Sequence, residues 1–287
     1  MPDNLRTLRR KRETVGEIQQ ITRAMKLVSA AKLKRALAWQ EAAHDYAAQV
    51  ADALALVLGR VGPEFAHPLT AERAVERVGL VLVAGDKGLC GAFNANVVGA
   101  ARAFVGRQRA RVQTMTVGTR TAEMAHRAHL HVVREFPAIH ERQRGGDVQE
   151  IGRYLLGAWH AQEFDAIHLC FARFRSRVNY EPAVVRILPA PLPEPSAAPQ
   201  SAILEPAAPE LADALLPQYV LARIFEGLVS TAASEHSARL MAMSAATDNA
   251  QEMLQQLGRH INRARQAEVT RQLLDVVSGA DALQSQG

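Results

Sequence analysis

Residues 85–94, with the sequence GDKGLCGAFN, are the part of the chain best suited to chemistry by residue type and spacing. Backbone N–H groups at a turn between a strand and a helix can hold a phosphate, and glycines let the backbone approach it. The spacing matches neither G-x-G-x-x-G nor a P-loop that ends in Gly-Lys followed by Ser or Thr. A nucleotide site remains the alternative, but we predict a structural turn that binds no cofactor. The residues of this turn are Gly85, Asp86, Gly88 and Gly91.

Histidines and cysteines are the other candidates for chemistry. His126, His129 and His131 lie close together, but no His-Glu-x-x-His motif or cysteine pair accompanies them, so we predict no metal site. No serine or cysteine stands in a nucleophile elbow, so we predict no catalytic residue. The only two cysteines, Cys90 and Cys170, lie in or beside apolar runs. They are therefore predicted to be reduced and buried, which excludes a disulfide framework.

Positive charge is concentrated near the start of the chain. The formal net charge is +5, and residues 9–12, Arg-Arg-Lys-Arg, place cations all round a helix. This favours a partner, such as a sleeve that encloses the helix, over simple solvation. Aromatic side chains for base stacking are scarce, because only Trp39 and Tyr46 precede Phe65. We therefore predict no nucleic acid partner, although a nucleic-acid-binding coiled-coil scaffold stays open as an alternative.

Two long helices are predicted at the two ends of the chain. Residues 3–58 contain no proline and one glycine, and residues 218–283 also lack proline. Uninterrupted helices of these lengths would span about 84 Å and about 99 Å. Helices this long cannot both lie inside one globule, and each carries an apolar stripe. We therefore predict that they pair as a long antiparallel coiled coil.

Between the helices, apolar runs alternate with segments of helical composition. Alternation of this kind predicts an α/β head domain with a mainly parallel sheet. The predicted strands are 78–84, 112–117, 130–133, 166–174 and 183–188, and the predicted helices are 92–109, 120–128 and 148–162. The last two strands are predicted to pair as a hairpin. The predicted domains are the long helices 1–60 and 217–287, the head 75–190 and a proline-rich linker 191–216.

Four segments resemble the gamma subunits of F-type ATP synthases. They are EIQQITRAMKLVSAAKLKRA at 17–36, GDKGLCGAFN at 85–94, SEHSARLMAMSAATDNAQEM at 234–253 and NRARQAEVTRQLLDVVSGADAL at 262–283. In this order and at these separations, the four segments extend from near the start of the chain to near its end. The resemblance implies a non-catalytic rotor shaft that couples ion flow to catalysis in the beta subunits. Lys26, Gly85 and Ala92 differ from the residues often found at these positions in that family. These differences would also fit a divergent, alternate bacterial member of the family.

The resemblance also implies partners and contact residues. The partners are the alpha and beta subunits of the hexamer, the epsilon subunit and the ring of c subunits, with one copy of this chain in each complex. No segment reaches the roughly 18 consecutive apolar residues that cross a bilayer. Any membrane association is therefore expected to be peripheral, and the resemblance implies the cytoplasmic face of a bacterial plasma membrane. The residues implied to contact the beta subunits are Met25, Lys26, Arg265, Gln266 and Thr270.

Overall fold

The computed structural model describes residues 5–61, 65–137, 145–194 and 204–284. The helices in these ranges are α1 (Leu5–Leu58), α2 (Phe93–Arg107), α3 (Thr119–Arg127), α4 (Gly145–His160) and α5 (Ala208–Gln284). The strands are β1 (Arg77–Val83), β2 (Arg111–Val117), β3 (Val132–Phe136), β4 (Ala166–Ser176) and β5 (Asn179–Leu188). The chain divides into two compact units, one of residues 1–28 with 240–287 and one of residues 29–239. This division cuts both long helices, so it differs from the predicted domain boundaries.

The second unit is built on one five-stranded sheet with the strand order β3-β2-β1-β4-β5. Neighbours from β3 to β4 are parallel, and β4 and β5 form an antiparallel hairpin. The prediction of a mainly parallel sheet with a terminal hairpin is therefore confirmed. Pro182 is tolerated because β5 is an edge strand. All residues of β1 after the first are buried, as expected for a central parallel strand that is covered on both faces.

Helices cover the two faces of the sheet because the side chains of each strand alternate between them. On one face, Val81 and Val83 belong to a core with residues of α1, α4 and α5, in which Trp159 is fully buried. On the other face, Leu80 and Leu82 belong to a core with residues of α2 and α3.

Helix α5 begins at Ala208, earlier than the sequence predicts, and it continues through Pro217. The prediction of a linker up to residue 216 is therefore wrong at its end, and residues 195–203 lie outside the described residues. Proline is tolerated in a first turn, which explains Pro209, but inside a helix it removes a backbone hydrogen bond. Burial of Leu216 and Val220 in the core stabilises the helix on either side of Pro217. Tertiary packing here outweighs local propensity.

Two glycines let α5 approach its neighbours closely. A Cβ atom at Gly227 would lie 2.4 Å from Leu169 Cδ2 of β4, and one at Gly152 of α4 would lie 2.0 Å from Leu221 Cδ2. Real Cβ atoms essentially never come this near to another heavy atom. The absence of a side chain at these positions therefore sets the distance between α5 and the layers beneath it.

We expect Gly227→Ala and Gly258→Ala to change stability in opposite directions, although both lie in α5. Alanine favours a helix over glycine by about 1 kcal/mol. At Gly258 a Cβ atom would meet nothing within 4 Å, so the stability should rise by up to that amount. At Gly227, overpacking against Leu169 costs about 1–3 kcal/mol and should outweigh the gain. Urea unfolding of the full chain checks this, and a rise in stability for both variants would contradict it.

In the first unit, α1 and α5 run antiparallel. Gln19 Nε2 donates to Gln251 Oε1 at 2.6 Å, and Lys26 Nζ donates to Ser244 Oγ at 3.0 Å. Residue numbers thus rise along α1 as they fall along α5. Between these two contacts, Thr247 Oγ1 lies 3.0 Å from the hydroxyl oxygen of the buried Thr22. The predicted antiparallel pairing of the terminal helices is confirmed in this unit. No helix within the described ranges is both long and apolar enough to cross a membrane.

Candidate functional site

The loop after β1 lies where α/β proteins of this topology bind ligands. From β1 the chain moves to β2 on one side, whereas β4 pairs with β1 on the other side. Ligands of open α/β sheets bind outside the carboxyl ends of the strands at such a switch point. The crevice at the ends of β1 and β4, with residues 85–92 beside it, is therefore the candidate site.

Asn94 ties this loop into a tight turn. Its Oδ1 atom accepts a hydrogen bond from Gly85 N at 2.7 Å, and its Nδ2 atom donates to Lys87 O at 3.3 Å. Gly91 has a φ of +61°, in the left-handed region that favours glycine. A Cβ atom at Gly85 would lie 2.7 Å from Asn94 Oδ1 and 2.9 Å from Glu235 Cδ. Gly85 is thus needed because Asn94 of α2 and Glu235 of α5 both come so close to it.

A buried arginine of α5 occupies the crevice beside the loop. Arg239 Nε donates to Gly88 O at 3.1 Å, and Nη2 donates to Lys87 O at 3.2 Å. The same guanidinium forms an ion pair with Glu235, whose side chain is only 2% exposed. We call this group the arginine clamp: Arg239, Glu235 and the carbonyl groups of Lys87 and Gly88. It joins two parts of the chain that are far apart in sequence.

Hydroxyl side chains of α5 bind the backbone of β4 next to the clamp. The pairing of β4 with β1 ends at Cys170, so the backbone beyond it has no strand neighbour on that side. Helix α5 supplies hydroxyl groups there instead. Ala172 N donates to Thr231 Oγ1 at 3.2 Å, and Phe174 N donates to Ser230 Oγ at 2.8 Å. The Ser234 hydroxyl lies 3.3 Å from Ala172 O. We call Ser230, Thr231 and Ser234 the hydroxyl ladder.

These contacts give the crevice a chemistry opposite to that of a phosphate site. A phosphate cradle presents backbone N–H groups to an anion. Here Lys87 and Gly88 present carbonyl oxygens to the cation of Arg239. The side chains of α5 also take the place that a ligand would occupy. The geometry therefore favours the structural turn over the nucleotide site, because the loop already binds a group from its own chain.

The histidine and cysteine candidates form no reactive cluster. His126 is exposed and its Nε2 atom lies 3.1 Å from Glu135 Oε1. Within the ranges that the structure covers, no group of three His, Cys, Asp or Glu residues could hold a metal ion. Cys90 and Cys170 are buried free thiols, as predicted. Burial raises the pKa of Cys90, and it raises the pKa of Cys170 to about 12, so both thiols are protonated and unreactive near neutral pH.

Comparison with known proteins decides the family. A family model described as ATP synthase matches residues 4–283. The ATP synthase gamma chain of Pelotomaculum thermopropionicum is 36% identical, over 98% of this chain and 99% of that protein. The gamma chain of Desulforamulus reducens is 37% identical, over 97% and 99%. This chain belongs to the ATP synthase gamma chain family.

Solved structures show that the fold of this chain is shared. A chain of the Euglena gracilis mitochondrial ATP synthase matches with a TM-score of 0.68 and 16% identity, over 98% of this chain and 95% of that one. A chain of the Tetrahymena thermophila central stalk and c-ring matches with a TM-score of 0.58 and 20% identity, over 79% and 99%. The predicted architecture and the resemblance seen in the sequence are both confirmed.

The residues that the resemblance implies as beta-subunit contacts fall into two separate groups in the first unit. Met25 and Lys26 are half-buried, and Lys26 binds Ser244 on the paired helix. Arg265, Gln266 and Thr270 are exposed on α5. From the helical rise of 1.5 Å per residue, Arg265 lies about 30 Å along α5 from the level of Ser244. The structure does not bring the two groups together, so they would have to meet different parts of a partner.

The arginine clamp and the hydroxyl ladder were not predicted as a site. The signal for them is in the sequence STAASEHSAR, residues 230–239, where hydroxyl and charged side chains interrupt a predicted apolar stripe. Buried polar groups need hydrogen-bond partners, so such an interruption indicates a polar contact within the core. Periodicity alone could not identify residues 87 and 88 as the partners.

Proposed function

We propose that this chain is the central rotor shaft of an F-type ATP synthase and is itself non-catalytic. It couples ion flow through the membrane sector to ATP synthesis or hydrolysis in the beta subunits by rotating within the alpha and beta hexamer. The observation that carries this proposal is the crevice filled by α5, in a chain that matches ATP synthase gamma chains over nearly its full length. Because a helix of the same chain occupies the crevice where a ligand would bind, the sheet and the part of α5 packed on it form one rigid body instead of a ligand-binding site.

The surface of α5 supports contact with a surrounding sleeve of subunits. Leu273, Leu274, Val276 and Val277 are 56–70% exposed near the end of the helix. Apolar side chains grouped in this way mark an interaction surface. We propose that this end of α5 turns inside the alpha and beta hexamer. The proposed contacts with the beta subunits are Met25, Lys26, Arg265, Gln266 and Thr270.

The remaining partners are the epsilon subunit and the c-ring, and each complex holds one copy of this chain. The similar solved structures, which belong to assemblies of F1, a central stalk and a c-ring, support this set of partners. We propose a peripheral location on the cytoplasmic face of a bacterial plasma membrane. The bacterial relatives support this, and so does the lack of a membrane-crossing helix in the parts of the chain described here.

Reconstitution with alpha and beta subunits tests the proposal. We expect the chain to copurify with both, to rotate in single-molecule assays with ATP, and to hydrolyse no ATP alone.

Arg265→Ala should weaken the complex by about 1–2 kcal/mol, or about tenfold in affinity, as expected for a side chain that is a binding hot spot. Arg259→Ala, an exposed arginine on the same helix, is the matched control. Failure to assemble with either subunit would overturn the rotor function.

Calorimetry with ATP and NAD tests the remaining enzyme alternative. We expect no saturable heat from the isolated chain, because Glu235 and Arg239 fill the crevice. Micromolar binding that Gly88→Val abolishes would identify the loop as a nucleotide site. That result would contradict a non-catalytic role.

A further inference from the structure

The contacts between α5 and the carboxyl end of the sheet differ in kind from those on the sheet's face. On the face, apolar side chains such as Leu216 and Leu228 form the core. Hydrophobic contact is non-directional, so it resists separation of the helix from the sheet more than sliding along it. At the carboxyl end, the hydroxyl ladder and the arginine clamp make hydrogen bonds, which weaken steeply when they are misaligned. These bonds add resistance to sliding or turning of α5 at the carboxyl end of the sheet.

Arg239 is the residue of this end that holds the loop. Its planar guanidinium reaches two consecutive carbonyl oxygens, of Lys87 and Gly88, and the carboxylate of Glu235 at the same time. A lysine ammonium is a point charge on a flexible stem and cannot reproduce this fork. The Arg239 side chain is only 7% exposed, so water cannot easily replace a broken bond. The loop in turn is held to α2 through Asn94.

We propose that Arg239 is a positioning residue that, together with the hydroxyl ladder, sets the torsional stiffness of the joint between α5 and the head sheet. The inference rests on the proposed rotor function, because torque that enters α5 has to reach the head through this joint. The clamp joins the helix to the loop at the end of β1, and the ladder joins it to β4. The two adjacent central strands are thereby fixed to the helix.

Angular fluctuation of a bead on the head, in stalled complexes with alpha and beta subunits, tests this inference. Stiffness and angular variance are inversely related. Arg239→Lys keeps the charge but loses the planar fork that reaches both loop carbonyl oxygens, so the loss of one of the two bonds should raise the variance roughly twofold. Thr231→Val, which removes a ladder hydroxyl and keeps the side-chain shape, should raise it less. The matched control is Arg223→Lys, since Arg223 pairs with Glu226 on the same helix but is 38% exposed.

The outcomes separate this inference from the rotor function. A purely structural role for Arg239 would lower the yield of assembled complexes without changing the variance of those that form. An unchanged angular variance in rotating Arg239→Lys and Thr231→Val complexes would therefore overturn the inference that Arg239 and the hydroxyl ladder set the stiffness of the joint. Wild-type complexes that fail to assemble or rotate would instead overturn the proposed function. Raised variance in both variants, with Arg223→Lys at the wild-type value, is the expected result.

Discussion

Arg239→Ala is expected to lower the free energy of unfolding of the full chain by about 3–5 kcal/mol. The substitution removes the buried ion pair between Arg239 and the carboxylate of Glu235, which is 2% exposed. It also removes the donors to Lys87 O and Gly88 O. Breaking a buried ion pair by removing one member costs more than the pair contributes, because the desolvation of the remaining charge is then offset less. Urea denaturation of the full chain, followed by circular dichroism, measures the change.

A double variant separates the effect of the remaining Glu235 charge from the effect of the lost hydrogen bonds of Arg239. Glu235→Gln combined with Arg239→Met removes both charges, so it should recover a large part of the loss, as replacement of buried ion pairs by neutral groups often does. Arg223→Ala breaks a more exposed pair with Glu226 and should cost no more than about 1 kcal/mol. A loss for Arg239→Ala as small as that for Arg223→Ala would show that the clamp does not stabilise the fold.

Trp159→Ala is expected to lower the free energy of unfolding by about 3–5 kcal/mol. The Trp159 side chain is fully buried in the core beneath the sheet, and Nε1 donates to Pro68 O at 2.8 Å. The guanidinium of Arg73 lies 4.4 Å from the centre of its ring. The substitution removes a large apolar surface, leaves a cavity and orphans a carbonyl group. Hydrogen exchange at the amides of β1 and β4 measures the loss where it arises.

The other tryptophan provides the control. Trp39 lies on α1 and is 42% exposed, so Trp39→Ala in the isolated full chain should change stability by less than about 1 kcal/mol. Trp159→Phe keeps most of the apolar volume and tests the hydrogen bond to Pro68 separately. Equal losses for Trp39→Ala and Trp159→Ala would mean that the core is not centred on Trp159.

Helix and strand positions follow closely from the local sequence. The run 78–84 is continuously apolar, and the structure shows β1 buried on both faces. Residues 3–58 lack proline, and α1 spans Leu5–Leu58. Periodicity and breakers act over a few residues, so these elements could be predicted from the sequence. The start of α5 could not, because Pro217 is tolerated only through the burial of residues such as Leu216 around it.

Three features could be determined from the sequence by itself: the family, the alternation of strands and helices in the head domain, and the antiparallel pairing of the terminal helices. Each of them depends on composition, spacing or the order of motifs. Only the tertiary structure showed what residues 85–94 contact. The glycine turn alone is compatible with a phosphate or with a packed helix, and the contact of Arg239 with Lys87 and Gly88 favours the packed helix. That contact joins residues about 150 positions apart, and no local pattern encodes such a pairing. Burial of Arg239 favours the contact, because a guanidinium in the low dielectric of the core requires hydrogen-bond partners.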